Sequence, residues 1–327
     1  MLIIKRHTTD PYFNLATEEY VLKNFDDESF MLWRNGPSII VGKHQNTLAE
    51  INLDFVNENK IKVVRRLSGG GAVFHDLGNI NFTFISHGEP GTLVDFRKFT
   101  QPIIDVIQKL GIEAKFEGRN DLTIEGRKFS GNAEHVFKNR VLHHGTLLFS
   151  SVMSDLTGAL KVDPSKFTDK AVKSVRSRVT NISEHLREPM EIEDFMEQVR
   201  LHVNEIYPDA KTIELTSEDH SSIQRMVDEK YSTWEWNFGY SPSYNFKKQL
   251  KTALGGHIEM NLQAEGGMIK AARIYGDYFS RKETSELEAM LVGLPHTMDA
   301  IKELANSINI GEYFAHVTDE EFRSMFF

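Results

Sequence analysis

The sequence predicts an α+β protein with a large N-terminal domain and a small C-terminal domain. Short apolar runs with strand-like alternation are interleaved with amphipathic helical segments, and neither kind of element dominates. The chain has 327 residues, which is enough for one large core and a second, smaller one. Aromatic residues and a proline interrupt the regular pattern at residues 234–242. We therefore predict one domain over residues 1–245 and another over residues 246–327.

Local sequence signals mark the ends of several predicted elements. Asp10 and Pro11 are an N-cap and a first-turn proline and predict the start of a helix. Glu125-Gly126 predicts a tight turn between two strands, and the spacing of Thr318 and Glu321 predicts a capping box. The same patterns predict strands at 30–34, 38–42, 121–125, 127–130 and 141–149, two or three more within 256–279, and helices at 53–60, 95–110, 191–207, 217–231, 283–291, 297–306 and 318–326.

Composition excludes several classes of function. The net charge is -9, which disfavours nonspecific nucleic-acid binding, so an anion site must be a local basic focus. The chain has no cysteine, which excludes disulfides, thiolate metal sites and cysteine nucleophiles. The N-terminal residues lack the apolar core of a signal peptide, and no run of eighteen apolar residues occurs. We expect a cytoplasmic protein with neither nucleic acid nor membrane as partner.

Residues 63–84 form the most unusual stretch of the chain. Three consecutive glycines, Gly69 to Gly71, join two strand-like runs, and Arg65 and Arg66 precede them. Successive glycine amides can converge on an anionic oxygen, and a ligand can approach such a backbone closely. The alternative is a glycine-rich hairpin corner with a solvated arginine pair. Polar residues in the following strand favour a binding site: His75, Asp76, Asn79 and Asn81.

Two further regions carry polar residues in unusual density. Residues 118–133 combine Arg119, Asn120, Asp121, Lys128 and three glycines within the predicted hairpin. His143 and His144 follow in the next strand, where adjacent side chains point to opposite faces, so we do not expect them to share a metal ion. Residues 161–188 are polar, basic and without periodicity, which predicts a long binding loop or, alternatively, a surface segment without a role.

Four segments, in this order and spacing, resemble lipoate-protein ligases: RRLSGGGAVFHDLGNINFTF, GRNDLTIEGRKFSGNA, HHGTLLF and SVRSRVTN. The resemblance covers essentially the whole chain and implies a catalytic domain of mixed sheets with flanking helices, similar to biotin-protein ligases, plus a small α+β accessory domain. The implied reaction has two steps. Lipoate attacks the α-phosphate of ATP to give lipoyl-AMP and pyrophosphate, and a lysine of a lipoyl carrier domain then accepts the lipoyl group.

The resemblance also implies roles for individual residues. Lys128 would bridge the lipoate carboxylate and the α-phosphate as the catalytic residue, and Asp121 would hold Mg²⁺. The loop over residues 161–180 would close over the adenylate, and the C-terminal domain would shift to admit the carrier. The acyl-adenylate would be bound by Trp33, Arg66, Ser68, Gly69, Gly70, Gly71, His75, His144 and Gly145. The nucleotide would be bound by Ala72, Val73, Phe74, Asn79, Asn120, Asp121, Lys128, Ser130, Gly131, Arg176, Val179 and Thr180.

The implied cofactors are ATP and Mg²⁺, with lipoate as substrate. The implied partners are lipoyl domains of 2-oxoacid dehydrogenase complexes, the glycine cleavage H protein, or both. An octanoyl or lipoyl transferase acting between carrier proteins is an alternative on the same fold, but such enzymes use a cysteine acyl intermediate, which this chain cannot form. A non-catalytic module that binds lipoate or a carrier is the second alternative. It is disfavoured if Lys128, Asn120 and Asp121 converge in space.

Overall fold

A mixed eight-stranded sheet forms the centre of the computed structural model. The structure describes residues 1–45, 47–51, 53–88, 95–152, 154, 158–160, 179–237, 246–252, 256–265, 268–295 and 298–326. Within these residues the strands of the large sheet, from one edge to the other, are Lys211–Ile213 (β11), Leu2–Ile4 (β1), Ser29–Trp33 (β2), Asn79–His87 (β6), Arg140–Leu148 (β10), Arg127–Phe137 (β9), Asp121–Ile124 (β8) and Ala114–Glu117 (β7).

Apolar cores lie on both faces of this sheet. One contains Phe30, Phe82 and Phe84 of the sheet together with Phe96–Lys109 (α4) and Ile192–Ile206 (α5). The other contains Pro11–Asn24 (α1) and Ser217–Met226 (α6). Each fully buried phenylalanine or leucine contributes about 1.5–3 kcal/mol through the hydrophobic effect. Because α1 is enclosed by other elements, it buries polar residues as well as apolar ones, including Asn14 and Glu18.

A small second sheet carries the glycine stretch. Its central strand, Ser38–Val41 (β3), pairs in parallel with Lys62–Arg65 (β4) and antiparallel with Val73–His75 (β5). Gly69 to Gly71 therefore cross over β3 between its two neighbours and do not close a hairpin. The neighbouring helices are Thr47–Glu50 (α2), Leu53–Glu58 (α3) and Trp234–Asn237 (α7).

Arg65 is a structural residue, contrary to the alternative of a solvated arginine pair. It is fully buried and donates to the backbone oxygens of Gly42 (2.9 Å), Gln45 (2.8 Å) and Trp236 (2.9 Å). It also donates to the Thr47 hydroxyl at 2.7 Å. These contacts fasten the turn before α2 and the helix α7 to β4. A buried guanidinium has five donors and needs several acceptors.

The C-terminal part of the chain has its own sheet and its own apolar core. The strands are Phe246–Lys251 (β12), His257–Glu265 (β13) and Met268–Gly276 (β14), and the helices are Thr284–Leu291 (α8), Met298–Ser307 (α9), Ile310–Tyr313 (α10) and Asp319–Ser324 (α11). The Thr318 capping box is present. The predicted boundary between residues 245 and 246 adjoins residues 238–245, which lie outside the described residues, and it stays a prediction.

Most predicted elements are confirmed, including the Asp10 cap and the hairpin turn, where Glu125 and Gly126 both have positive φ. The patterns missed β1, β7, β11 and β12. Of the predicted loop, residues 161–178 lie outside the described residues, whereas Ile182–His185 forms a 3₁₀ turn, so the loop prediction is wrong there. Among the helices that the structure describes, none has the length and apolar character needed to cross a membrane.

Candidate active site

One cavity brings the glycine stretch together with the large sheet. Its wall combines apolar side chains with amides, imidazoles and two cations, and so suits a ligand with an apolar part and a charged part. The lining residues are Leu15, Trp33, Ile40, Arg66, Gly70, Gly71, Ala72, Val73, His75, Asn81, Asn120, Lys128, Gly131, Asn132, Ala133, His144, Gly145 and Thr146.

Arg66 determines the conformation of the glycine stretch. Its guanidinium donates to the carbonyl oxygens of Gly69 (2.6 Å), Gly71 (2.8 Å) and Ile40 (3.0 Å), and Nε donates to the Ser68 hydroxyl at 3.0 Å. Burial, opposed by the charge of Glu18, lowers the pKa of Arg66 to about 10, so the group stays cationic at neutral pH. Arg66 therefore shapes the loop and contributes a fixed positive charge to the cavity wall.

Each of the three glycines is required, or tolerated, for a different structural reason. A Cβ on Gly69 would lie 2.1 Å from the carbonyl oxygen of Tyr278, so the lack of a side chain lets this backbone pack closely against Tyr278. Gly70 has φ +89°, a conformation that side-chain-bearing residues rarely adopt. Gly71 lines the cavity, and beyond its two chain neighbours no described residue has an atom within 4 Å of the position of a Cβ.

Lys128 of the cavity wall forms an ion pair with Asp121, which does not itself line the cavity. Their Nζ and Oδ1 atoms are 2.7 Å apart, and both side chains are about one-third exposed. The β8–β9 hairpin brings them together through its register, in which Thr123 pairs with Lys128 and Asp121 with Gly131. A Cβ on Gly131 would lie 2.9 Å from Lys128 Nζ, so the glycine leaves room for the lysine. Lys128, Asn120 and Asp121 therefore converge.

Asn120 and Asn132 lock the start of the hairpin to its second strand. The side-chain amide of Asn120 donates to the backbone carbonyl of Asn132 at 2.5 Å, and the side-chain amide of Asn132 donates to the backbone carbonyl of Asn120 at 3.0 Å. Both residues line the cavity. Reciprocal hydrogen bonds of this kind fix the orientation of both side chains, which prepares the wall before a ligand arrives.

A buried chain joins Glu18, His144 and Ser68. His144 Nδ1 lies 3.0 Å from Glu18 Oε1, and its Nε2 lies 2.6 Å from the Ser68 hydroxyl. The connectivity resembles a Ser–His–acid triad. However, Ser68 is 1% exposed, does not line the cavity and accepts a hydrogen bond from Arg66. We interpret the chain as one that orients His144 in the wall.

The adjacent histidines do face opposite sides of the sheet. His143 is enclosed by Phe82, Phe96 and Phe99, and its Nδ1 lies 2.8 Å from Glu134. Burial lowers the pKa of His143 well below its ordinary value. Burial, and then the charge of Asp95, raises the pKa of Glu134 to about 8. His143 and Glu134 belong to the core, so of the two adjacent histidines only His144 reaches the cavity.

Comparisons with known proteins match this chain over its whole length. Residues 10–204 match the family description "Lipoyl protein ligase A/B catalytic domain", and residues 241–326 match "Bacterial lipoate protein ligase C-terminus". The chain is 41% identical to the lipoate-protein ligase LplJ of Bacillus subtilis, with all of both chains covered. It is 42% identical to lipoate-protein ligase 1 of Staphylococcus aureus over 98% of this chain and 97% of that protein. The chain belongs to the lipoate-protein ligase family.

Solved structures of lipoate-protein ligases have the same fold. The P. falciparum protein LipL1 in complex with lipoate matches with a TM-score of 0.82 at 26% identity and covers 94% of each chain. A lipoate-protein ligase A bound with ATP matches with a TM-score of 0.64 at 26% identity, covering 73% of this chain and 98% of that one. A bipartite ligase of Thermoplasma acidophilum, described with its E2 lipoyl domain, matches with a TM-score of 0.67 at 28% identity. The match covers 75% of this chain and 98% of that one. The α+β fold prediction is thereby confirmed.

The cavity of this lipoate-protein ligase family member contains twelve of the residues predicted for the site. Ser68, Gly69 and Ser130 lie immediately behind the wall, and Phe74 packs in the core of the small sheet. Asn79 is buried and donates to Asn81 at 3.1 Å. Arg176 lies outside the described residues. The predicted wall residues are Trp33, Arg66, Gly70, Gly71, Ala72, Val73, His75, Asn120, Lys128, Gly131, His144 and Gly145.

Val179 and Thr180 lie beside the predicted catalytic lysine. Val179 forms an isolated parallel bridge with Lys128, and the Thr180 amide donates to the Lys128 carbonyl at 3.0 Å. The sequence patterns missed several residues that line or orient the cavity: Leu15, Glu18, Ile40, Asn132 and Ala133. Leu15 and Glu18 look like core positions of a helix, and only the enclosure of α1 shows that one of its faces borders a cavity.

The side chains at the cavity could supply only some of the ligands of a magnesium ion. Within the described ranges no group of three or more histidine or acidic side chains could hold a metal ion. Asp121 supplies one carboxylate, which pairs with Lys128 of the cavity wall. Mg²⁺ commonly takes only one or two protein carboxylates and draws its remaining ligands from phosphate and water, so this single carboxylate fits a nucleotide-bound ion.

Proposed function

We propose that this protein is an ATP-dependent lipoate-protein ligase, which activates lipoate as lipoyl-AMP and transfers the lipoyl group to a lysine of a carrier domain. The observation that supports this most is the position of Lys128 on the same cavity wall as Gly70 and Gly71, in a chain that has no cysteine nucleophile. Family membership and the resemblance to structures with lipoate and with ATP bound support the same proposal.

The first step joins two anions. An oxygen of the lipoate carboxylate forms a bond to the α-phosphorus of ATP, and the bond from that phosphorus to the bridging oxygen of pyrophosphate breaks. Positioned positive charge and backbone donors stabilise the charge that develops on the phosphoryl oxygens. Lys128 can leave its ion pair with Asp121 for the phosphate, since the pair is partly exposed and weak. Arg66 adds a second, fixed charge.

The second step transfers the acyl group. The amine of the acceptor lysine attacks the acyl carbon, the bond from that carbon to the AMP oxygen breaks, and the amine gives up a proton. AMP leaves with its charge balanced by Lys128. A flexible ammonium suits a group that serves both steps, because it can follow the phosphate as the charge moves.

The ion and the nucleotide fit the hairpin end of the cavity. Asp121 would hold Mg²⁺, which supplies charge neutralisation for the phosphates. Asn120, Ala72 and Val73 would contact the nucleotide, with Val179 and Thr180 beside Lys128. We assign catalysis to residues 1–245 and an accessory role to residues 246–327.

The acceptor is a lipoyl carrier domain. We propose lipoyl domains of 2-oxoacid dehydrogenase complexes, the glycine cleavage H protein, or both. The resemblance to a T. acidophilum ligase described with its E2 lipoyl domain supports this class of partner.

Pyrophosphate exchange tests the proposal. The protein should exchange labelled pyrophosphate into ATP only when lipoate is added, and AMP should appear when a carrier domain is supplied. A module that only binds lipoate or a carrier would show lipoate binding without exchange. Formation of ADP instead of AMP would refute the adenylate mechanism.

A further inference from the structure

His75 has a ring nitrogen without a partner in the cavity wall. The side chain is 3% exposed, it lines the cavity, and its Nε2 atom makes no hydrogen bond with the described residues. A buried polar atom without a partner is costly, so such an atom in a binding cavity points to a ligand. Whether Nε2 donates or accepts depends on the protonation of Nδ1, which other buried side chains determine.

The hydrogen bonds behind His75 have only one possible direction. Arg6 cannot accept, so its Nη2, 2.5 Å from Asn14, must face the amide oxygen of Asn14. The Asn14 nitrogen lies 3.1 Å from the carbonyl oxygen of Thr8 and 3.0 Å from that of Arg34, which can only accept. Both ends of the Asn14 amide are thereby assigned independently.

This direction continues to the histidine. The Asn14 nitrogen has two hydrogens for three acceptors, so one hydrogen is shared, and its 2.9 Å contact with Asn35 is made to Oδ1 because two amide nitrogens would repel each other. The nitrogen of Asn35 therefore faces His75 Nδ1 at 3.0 Å and donates to it. Nδ1 must then accept and carries no proton. A neutral imidazole has one N–H, and here it is on Nε2.

A protonated ring does not fit the same contacts. Protonation would place a hydrogen on Nδ1 against the Asn35 amide hydrogens, since Asn35 is fully buried and its oxygen is taken by Asn14. Burial, followed by the charges of Arg66 and His144, lowers the pKa of His75 to about 3. His75 is therefore a neutral donor throughout the physiological pH range.

We propose that Arg6, Asn14 and Asn35 form a directional chain that holds His75 as a neutral imidazole whose Nε2–H donates to an acceptor atom of the bound acyl substrate. The identity of that substrate rests on the proposed function. The three residues of the chain are positioning residues, and His75 is the group that touches the ligand. The acceptor is either a carboxyl oxygen, shared by lipoate and octanoate, or a dithiolane sulfur, present in lipoate alone.

Nitrogen-15 NMR of the full-length protein tests the protonation state without substrate. With histidine labelled, and with the resonances of His75 identified by their loss in His75→Gln, Nδ1 should give the signal of a bare nitrogen and Nε2 that of an N–H, unchanged between pH 5 and 8. A proton on Nδ1, or titration of the ring near pH 6, would overturn the proposal. Because no ligand is present, this measurement stands even if lipoate-dependent pyrophosphate exchange is not found.

Substitutions at position 75 test the donor role. The side-chain amide of Gln can supply an N–H near the position of Nε2, whereas Leu cannot, and Leu serves as the apolar control of similar size. We expect His75→Leu to weaken lipoate binding about tenfold more than His75→Gln, as for one hydrogen bond. Asn35→Leu should also weaken lipoate binding and should allow both ring tautomers. Thermal unfolding identifies any variant that fails to fold.

Octanoate identifies the acceptor atom. If the loss in His75→Leu is equal for lipoate and octanoate, the acceptor is a carboxyl oxygen, and if it is confined to lipoate, the acceptor is a sulfur. Equal affinity of folded His75→Leu and His75→Gln for both acids would refute a donor role for His75.

Discussion

Gly71→Ala should separate ligand binding from folding. The structure predicts that this substitution is harmless to the free protein, because no described atom lies within 4 Å of the new Cβ and φ lies outside the positive range. Replacing glycine where the backbone conformation is permitted raises the free energy of unfolding by about 0.4–1 kcal/mol, since the unfolded chain loses freedom. The variant should therefore be as stable as the wild type or slightly more stable.

The effect on the adenylate should have the opposite sign. Gly71 lines the cavity, so we expect a methyl group there to displace a ligand that lies against the backbone. A displacement of about 1 Å at a reacting centre can cost on the order of a hundredfold in rate. We expect binding of a non-hydrolysable lipoyl-adenylate analogue, measured by calorimetry, to weaken by about one to two orders of magnitude.

Two neighbouring substitutions serve as matched controls. Gly70→Ala should cost about 1–2 kcal/mol in the free protein, because φ is +89°. Gly69→Ala should disturb the contact with Tyr278, whose carbonyl oxygen lies 2.1 Å from the position that the new methyl group would occupy. Urea unfolding measures all three. If Gly71→Ala binds the analogue as tightly as the wild type does, the ligand does not approach this backbone and the prediction is refuted.

Three further substitutions test the catalytic group and the buried polar contacts. Lys128→Ala should lower pyrophosphate exchange about a hundredfold or more while changing the free energy of unfolding by less than about 1 kcal/mol. The control is Lys115→Ala, which removes a 2.8 Å ion pair with Glu113 and should change neither exchange nor stability. Near-normal exchange by Lys128→Ala would assign the lysine a structural role. Although burial opposes its ionisation, contacts with Lys230, Lys23 and Tyr231 lower the pKa of Glu19 to about 2. Its stabilisation, at most roughly 3 kcal/mol, is therefore complete above pH 5 and lost as the pH falls toward 2. Urea unfolding should accordingly show Glu19→Gln less stable than wild type at pH 7, by an amount that shrinks at pH 3, and a constant difference would contradict the assignment. Arg65→Leu should destabilise the fold by about 3–5 kcal/mol in the same assay, because it leaves buried carbonyl oxygens unpaired; a loss below about 1 kcal/mol would show that they find other donors.

Local sequence signals specify several helices and turns and point to the chemistry of the site. Asp10 with Pro11 specifies a helix start, and Glu125 with Gly126 specifies a hairpin turn, because these residues act on their own backbone. The charged strand Phe246–Lys251 was missed, since its pairing and not its composition makes it a strand. The four motifs predicted the family, and twelve of the predicted site residues line one cavity.

Contacts between distant segments determine which adjacent residues have the same role. Arg65 and Arg66 are adjacent, yet one fastens the fold and the other shapes the cavity, because Arg65 ends β4 whereas Arg66 begins the segment that leads to the glycines. His143 and His144 also differ in role, because successive residues of a strand face opposite sides. The protonation of His75 depends on Arg6, Asn14 and Asn35, which come from three separate segments. Hydrogen-bond direction is a property of contacts between such segments, and local sequence pattern does not contain it.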